Sequence, residues 1–203
     1  MLAGIGGIAF GVLTIVGLAL MNPPGGNYKA SSVSDYLEKG HRVSVIGGLY
    51  LEVLALVGLL ILLAYLRDLL VSDWTRRLFW AFGIIAVGGL AMGWAIMAAG
   101  AVARLFGGRG VVVSAPTSYL VSEIGGTIVW GPAAILLACA LITLTWSSTV
   151  ALPSWLRWLT LVFGIIGLAS LAFFTSLALV IWGVVIGVWL LVSGGRTEPA
   201  PAA

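Results

Sequence analysis

Apolar residues run nearly unbroken for about twenty positions at a time along this chain, and polar residues gather in short stretches between the runs. Four runs stand out: Leu2–Met21, Val43–Leu66, Leu78–Ala103 and Thr127–Trp146. About 20 apolar residues in a helix cover the roughly 30 Å of a bilayer's hydrocarbon core, so each run predicts a transmembrane helix. None alternates apolar and polar residues as a barrel strand must. Only helices and closed barrels satisfy backbone polar groups in lipid, so the predicted fold is all-α. The last run, Trp158–Val192, has 35 residues, and as one helix would reach about 52 Å, too long for one comfortable span. Two spans joined by a turn near Phe173-Phe174-Thr175-Ser176 fit it better. The result is a polytopic transmembrane helix bundle of six spans. That turn holds no Gly, Pro or charge, and one long tilted helix, giving five spans, is the alternative.

The polar stretches alternate in length. Asn22–Arg42 and Arg104–Gly126 are about twice as long as Arg67–Arg77 and Ser147–Arg157. A short amphipathic helix is predicted in each long one. In the first, Asn22-Pro23-Pro24-Gly25-Gly26 reads as a turn. Ser32, three residues before Asp35, then offers a capping-box-like start. In the second, Pro116 suits a first helical turn, followed by Tyr119, Leu120 and Glu123. Ser34-Asp35-Tyr36-Leu37 and Thr117-Ser118-Tyr119-Leu120 look alike at a spacing of 83 residues, which hints at a duplicated unit. Residues 1–195 read as one transmembrane helical domain, and the Pro/Ala-rich stretch 196–203 as a disordered tail. The first run lacks a basic leader and a small-x-small cleavage site, so it is expected to be a retained helix.

Composition supports this class. Hydrophobic residues make up 61% of the chain and charged residues 8%, against about a quarter charged in soluble domains. So few charges cannot cover a surface in water. The net charge of +3 comes from scattered basic residues, which suits anchoring at a membrane surface and not nucleic-acid binding. With six spans, Arg67, Arg76, Arg77, Arg157 and Arg196 share one side. Lys29, Lys39, Arg42, Arg104 and Arg109 share the other. The positive-inside count is tied. Arg76-Arg77 abuts a span and the longer loops lie on the opposite side, which favours cytoplasmic termini. Trp74, Trp80, Trp146, Trp155, Trp158 and Trp189 would form an interfacial belt on the termini side.

Glu52 is the most informative single residue. It falls well inside the second run, in Gly47-Gly48-Leu49-Tyr50-Leu51-Glu52. A charged acid at a helix centre costs about 2.5–3.5 kcal/mol on insertion scales, so it must face the bundle interior or water. Two readings follow: a proton, cation or ligand group, or a structural acid bonded to a neighbouring helix. Tyr50, Thr14 and Thr127 are candidate partners by type. His41 and Arg42 open the same run. They join Asp35 and Tyr36 on one long loop. Arg104, Arg109, Tyr119 and Glu123 on the other loop could complete a polar vestibule. Pro132, in Trp130-Gly131-Pro132-Ala133, should kink the fourth span and is a candidate hinge. A single His and a single Cys, Cys139, cannot build a structural metal site or an intrachain disulfide. No catalytic, nucleotide or metalloprotease motif is present, so no metal, cofactor or catalytic residue is assigned. The Gly pairs 7/11, 89/93 and 183/187 match close helix packing.

The run from Asn22-Pro23-Pro24-Gly25 through Ser34-Asp35-Tyr36-Leu37 to His41-Arg42-Val43, and on to Leu62-Leu63-Ala64-Tyr65-Leu66-Arg67, resembles uncharacterised membrane proteins of high-GC Gram-positive bacteria that carry a domain of unknown function. The resemblance implies a multi-pass plasma-membrane protein and brings no active residues with it. Three functions are expected in order. The first is a non-enzymatic protein binding a small hydrophobic ligand or lipid, or an accessory subunit or homo-oligomer in the bilayer. The second is a small transporter or proton-coupled channel using Glu52. The third is a membrane enzyme using Asp35, His41 and Glu123.

Overall fold

The computed structural model describes residues 1–23, 31, 33, 39–106, 114–146, 152–171 and 173–193. The described residues are helical and hold no strand. Among the described residues the helices are α1 (Leu2–Met21), α2 (Lys39–Asp68), α3 (Asp73–Phe106), α4 (Ala115–Ile128), α5 (Ala134–Trp146), α6 (Ser154–Leu168) and α7 (Leu177–Val192). A five-residue π-turn, Val129–Ala133, joins α4 to α5, and a 3₁₀ turn, Phe173–Ser176, precedes α7.

Four segments are long and apolar enough to cross a membrane: Leu2–Met21, His41–Asp68, Asp73–Phe106 and the α4–α5 rod Ala115–Trp146. These contain the four runs expected from the sequence: the first has the expected bounds, the second and third are a few residues longer, and the fourth starts earlier, at Ala115. The predicted helix at Pro116 is the first part of the α4–α5 rod. Ser114 caps it by accepting a hydrogen bond from the Thr117 amide, with the proline in the first turn. α1 ends at Asn22, whose φ of 38° is left-handed and whose amide donates to the Leu18 carbonyl, a conformation asparagine tolerates. Of the helix expected after Ser32, Val33 is helical and buried; Ser32, residues 34–38 and the tail lie outside the described residues.

Trp158–Val192 is divided as expected, but the break opens at Ala169, earlier than the sequence suggests, and ends in the 3₁₀ turn at Phe173–Ser176. α6 also begins sooner, at Ser154. The two resulting helices have 15 and 16 residues, about 22–24 Å each, short of the hydrocarbon thickness. They fall below the length of the four candidate spans.

The helices form a ring. α1 packs on α2, α2 on α3, α3 on the α4–α5 rod, α5 on α6, α6 on α7, and α7 returns to α1. Glycine sets how closely α1 meets both neighbours. A Cβ on Gly6 would sit 2.6 Å from the Gly58 carbonyl oxygen of α2, and one on Gly7 would sit 2.6 Å from the Gly183 carbonyl oxygen of α7. Only hydrogen fits there, so the backbones touch, as small-residue seams in membranes allow. The Gly7, Gly11, Gly183 and Gly187 repeats are therefore part of an internal seam. Gly89 and Gly93 serve the α3 contact with Ala133 and Val129. Between α6 and α7, the buried Trp182 indole donates to the Thr160 hydroxyl at 3.1 Å.

The outside of the ring is as apolar as its core. Ile5, Val12, Ile15, Val53, Leu54, Val57, Ile85, Val162 and Ile165 are all exposed. Aliphatic side chains facing outward along whole helices would impose a large hydration cost in water.

Candidate functional site

Glu52 projects from α2 into its seam with α1 and is completely buried. Gly17 of α1 makes room for it. A Cβ on Gly17 would lie 2.7 Å from Glu52 Oε1 and 3.0 Å from the Gly48 carbonyl oxygen. The carboxyl thus occupies the volume that any other residue at position 17 would fill. Neither of its oxygens has a hydrogen-bond partner of good geometry, although the Thr14 hydroxyl of α1 faces it. Of the three partners expected by residue type, only Thr14 is brought near. Tyr50 is 70% exposed on the outer face of α2. Thr127 is exposed and donates to the Glu123 carbonyl one turn back. No cation stands in for the missing partners along the packed helices. α1 and α7 carry no ionisable side chain, and the charged residues of α3 (Asp73, Arg76, Arg77 and Arg104) sit at its ends.

Thr14 also lines a small cavity at the centre of the ring, about 30 Å³ in volume. Phe10, Trp94, Trp130, Ser176 and Leu179 form other parts of its wall. That volume holds one or two waters. Trp94 and Trp130 meet edge to face, with ring centroids 5.5 Å apart at 88°. Two interruptions of helical backbone border this space. The first is the π-turn. Pro132 supplies no amide to the Ile128 carbonyl, and Gly131 leaves helical geometry at φ −97°, ψ −106°. The kink expected at Pro132 is present, with the proline itself on the outer face. The second is the tip of the α6–α7 hairpin, where Leu171 packs 3.0 Å from the position of a Cβ on Gly131. The Ser170 and Thr175 hydroxyls at that tip are buried without a partner. Irregular backbone at this depth occurs in membrane proteins where it is enclosed by protein or borders a polar cavity.

The expected vestibule is partly assembled. The His41 ring lies 3.3 Å from the Met21 carbonyl oxygen at the end of α1. Arg42 donates to the Arg104 carbonyl oxygen at 3.2 Å, tying the start of α2 to the end of α3. Tyr119 and Glu123 interact one helical turn apart. Asp35, Tyr36 and Arg109 lie outside the described residues. The described part of the vestibule thus fastens helix ends: Arg42 holds a main-chain carbonyl, and the Tyr119–Glu123 pair is local to α4. No group of three or more His, Cys, Asp or Glu able to hold a metal occurs among the described residues.

Sequence reasoning could find Glu52 because an acid interrupts an apolar run. It did not find Gly17, Ser170 or Ser176. A glycine or serine in such a run carries no distinguishing signal until the fold shows what it faces. Comparison with models of protein families, with curated proteins and with solved structures found no match to this chain.

Proposed function

We propose that this chain is a multi-pass integral membrane protein of a bacterial plasma membrane, with Glu52 as its working group. In this reading the carboxyl takes up and releases a proton, or holds a small cation, within a ring of helices, and the protein is a small transporter or proton-coupled channel. One observation carries the proposal: Glu52 is fully enclosed in an apolar seam, with the Thr14 hydroxyl facing its carboxyl and no cation along the packed helices. One hydroxyl across the seam does not meet the bonding capacity of a buried carboxyl, and an unmet buried polar atom is costly in a purely structural role. An acid that must exchange its charge has to leave bonding capacity free, and an intramembrane ionisable group marks a transport path more often than a packing site. Thr14 supports the reading, since it faces both the carboxyl and the central cavity.

The topology that goes with this function has α1, α2, α3 and the α4–α5 rod crossing fully. α6 and α7 enter as a hairpin from the side that holds Leu2 and Trp146. Its tip shares the cavity with Thr14, which is twelve residues into α1 and therefore about 18 Å deep. Both termini then lie on one side, assigned to the cytoplasm.

The test is ion flux in liposomes containing the purified protein, with a pH-sensitive dye inside and an imposed potential. Wild type is expected to carry protons or a small cation, and Glu52→Gln, which keeps the shape, is expected to abolish flux. Equal flux in Glu52→Gln, or none in wild type, removes the reading. A second reading, an accessory subunit or a binder of a small hydrophobic ligand, is favoured by the apolar wall that Phe10, Trp94 and Trp130 give the cavity. A lipid or pigment retained through purification in mild detergent would support it.

A further inference from the structure

At the opposite end of the bundle from His41 and Arg42, the short connection between α2 and α3 shapes a cleft of about 300 Å³ lined by Arg67, Asp73, Arg76, Arg77 and Trp80. Three guanidinium groups against one carboxylate leave it net positive. The three arginines are not equivalent. Arg76 is committed: it donates twice to the Leu70 carbonyl oxygen, at 3.2 and 2.8 Å, and lies 3.5 Å from Asp73. It holds the turn in shape and neutralises the acid. The Arg67 guanidinium carbon sits over the Trp80 ring, 5.3 Å from its centroid. The ring face attracts the cation and restrains it, and a guanidinium's N–H donors suit a phosphate. Arg77 is exposed. The cleft therefore presents one guanidinium held over an aromatic ring and a second, exposed one, donors that suit a phosphate group.

The surroundings indicate where the phosphate comes from. Val71 and Trp74, beside the cleft in sequence, are 68% and 71% exposed. Outward tryptophan at the end of an apolar helix marks the headgroup level of a bilayer. An acyl chain leaving the cleft would meet the apolar outer face of the ring. A soluble phosphoester would have no use for that face.

We propose that this cleft binds the phosphate of an anionic phospholipid headgroup, with Arg67 and Arg77 as its ligands and Arg76 as a positioning residue. The proposal rests on the reading of the chain as a membrane protein and is independent of any role for Glu52.

The experiment uses the full chain in mild detergent, titrated with short-chain phosphatidylglycerol, short-chain phosphatidylcholine or inorganic phosphate, with binding read by native mass spectrometry and thermal shift. Phosphatidylglycerol is expected to bind and raise the melting temperature, while phosphatidylcholine does neither. Arg67→Gln and Arg77→Gln are each expected to weaken binding about fivefold, and the pair about 25-fold, from about 1 kcal/mol per basic residue near an anionic surface. Arg77→Lys is expected to retain most of the affinity, and since Arg77 is exposed its variants report on binding without disturbing the Arg67–Trp80 contact. Equal binding of both lipids, or phosphatidylglycerol affinity unchanged in the double variant, overturns the proposal. Inorganic phosphate binding as tightly as phosphatidylglycerol and lost in the double variant keeps the anion site but overturns its lipid source.

Discussion

Replacing Gly58 by Ala tests the seam between α1 and α2 directly. The added methyl would lie 2.6 Å from the Gly6 carbonyl oxygen, 3.2 Å from the Phe10 amide nitrogen and 3.3 Å from Ala9 Cβ. The first contact is about 0.8 Å inside ordinary van der Waals distance, and its partner is backbone, so no rotamer change relieves it. The two helices must part, and every pair along the seam loses contact. Overpacking of this kind costs about 1–3 kcal/mol. Gly47 on the same helix provides the comparison, because nothing lies within 4 Å of a Cβ there. Both substitutions gain the same helix propensity, about 1 kcal/mol, so their difference isolates the steric effect. Gly58→Ala is expected to be about 1–3 kcal/mol less stable than Gly47→Ala when unfolding in mild detergent is followed by heat or denaturant titration. Equal stability of the two variants would show that the α1–α2 backbones do not touch at Gly58, and the ring as described would be wrong at this seam.

Other outcomes follow from the same geometry. In a Cys139→Ser background, Leu171→Cys is expected to resist a membrane-impermeant maleimide added to either face of sealed vesicles; labelling from the face opposite Trp146 would establish α6 and α7 as full spans. Trp182→Phe removes the buried bond to Thr160 and should destabilise the α6–α7 hairpin by about 0.5–1.5 kcal/mol, read as lost hydrogen-exchange protection confined to those helices. Arg157 donates to the Thr145 carbonyl at 2.9 Å, so Arg157→Ala should fray the end of α5 at a cost of about 1–2 kcal/mol, while Arg157→Lys should recover part of it. Gly17→Ala should displace the Glu52 carboxyl and reduce ion flux without altering the acid itself; unchanged flux would place the working position of Glu52 away from the seam.

The four long apolar segments were legible in the sequence because lipid demands a length of apolar helix and nothing subtler. Pro132 announced its kink, since a missing amide acts locally wherever it sits. The break inside Trp158–Val192 could be inferred only from excess length. Ala169 to Ser176 contains neither Gly nor Pro, and the apolar Leu171 at the tip is 71% exposed, so no residue type marks the turn. Glu52 was legible as an anomaly, but its surroundings were not. Choosing Thr14 over Tyr50 and Thr127 requires the rotation of each helix, and apolar faces all round leave hydropathy no preferred side to report. For the same reason the pairing of α1 with α7 was invisible: matched glycines become a signal only when the two helices are known to be neighbours.

That pairing has a consequence for the order of events at the ribosome. The partner of Gly7 and Gly11 is α7, which begins at Leu177. Synthesis at about 5–20 residues per second puts the two helices roughly 10–35 s apart. Throughout that interval α1 has one glycine face seated on α2 and the other bare. The bundle cannot close progressively as its helices emerge; closure is a single late event, and until it happens the bare face is open to any other helix that presents small residues.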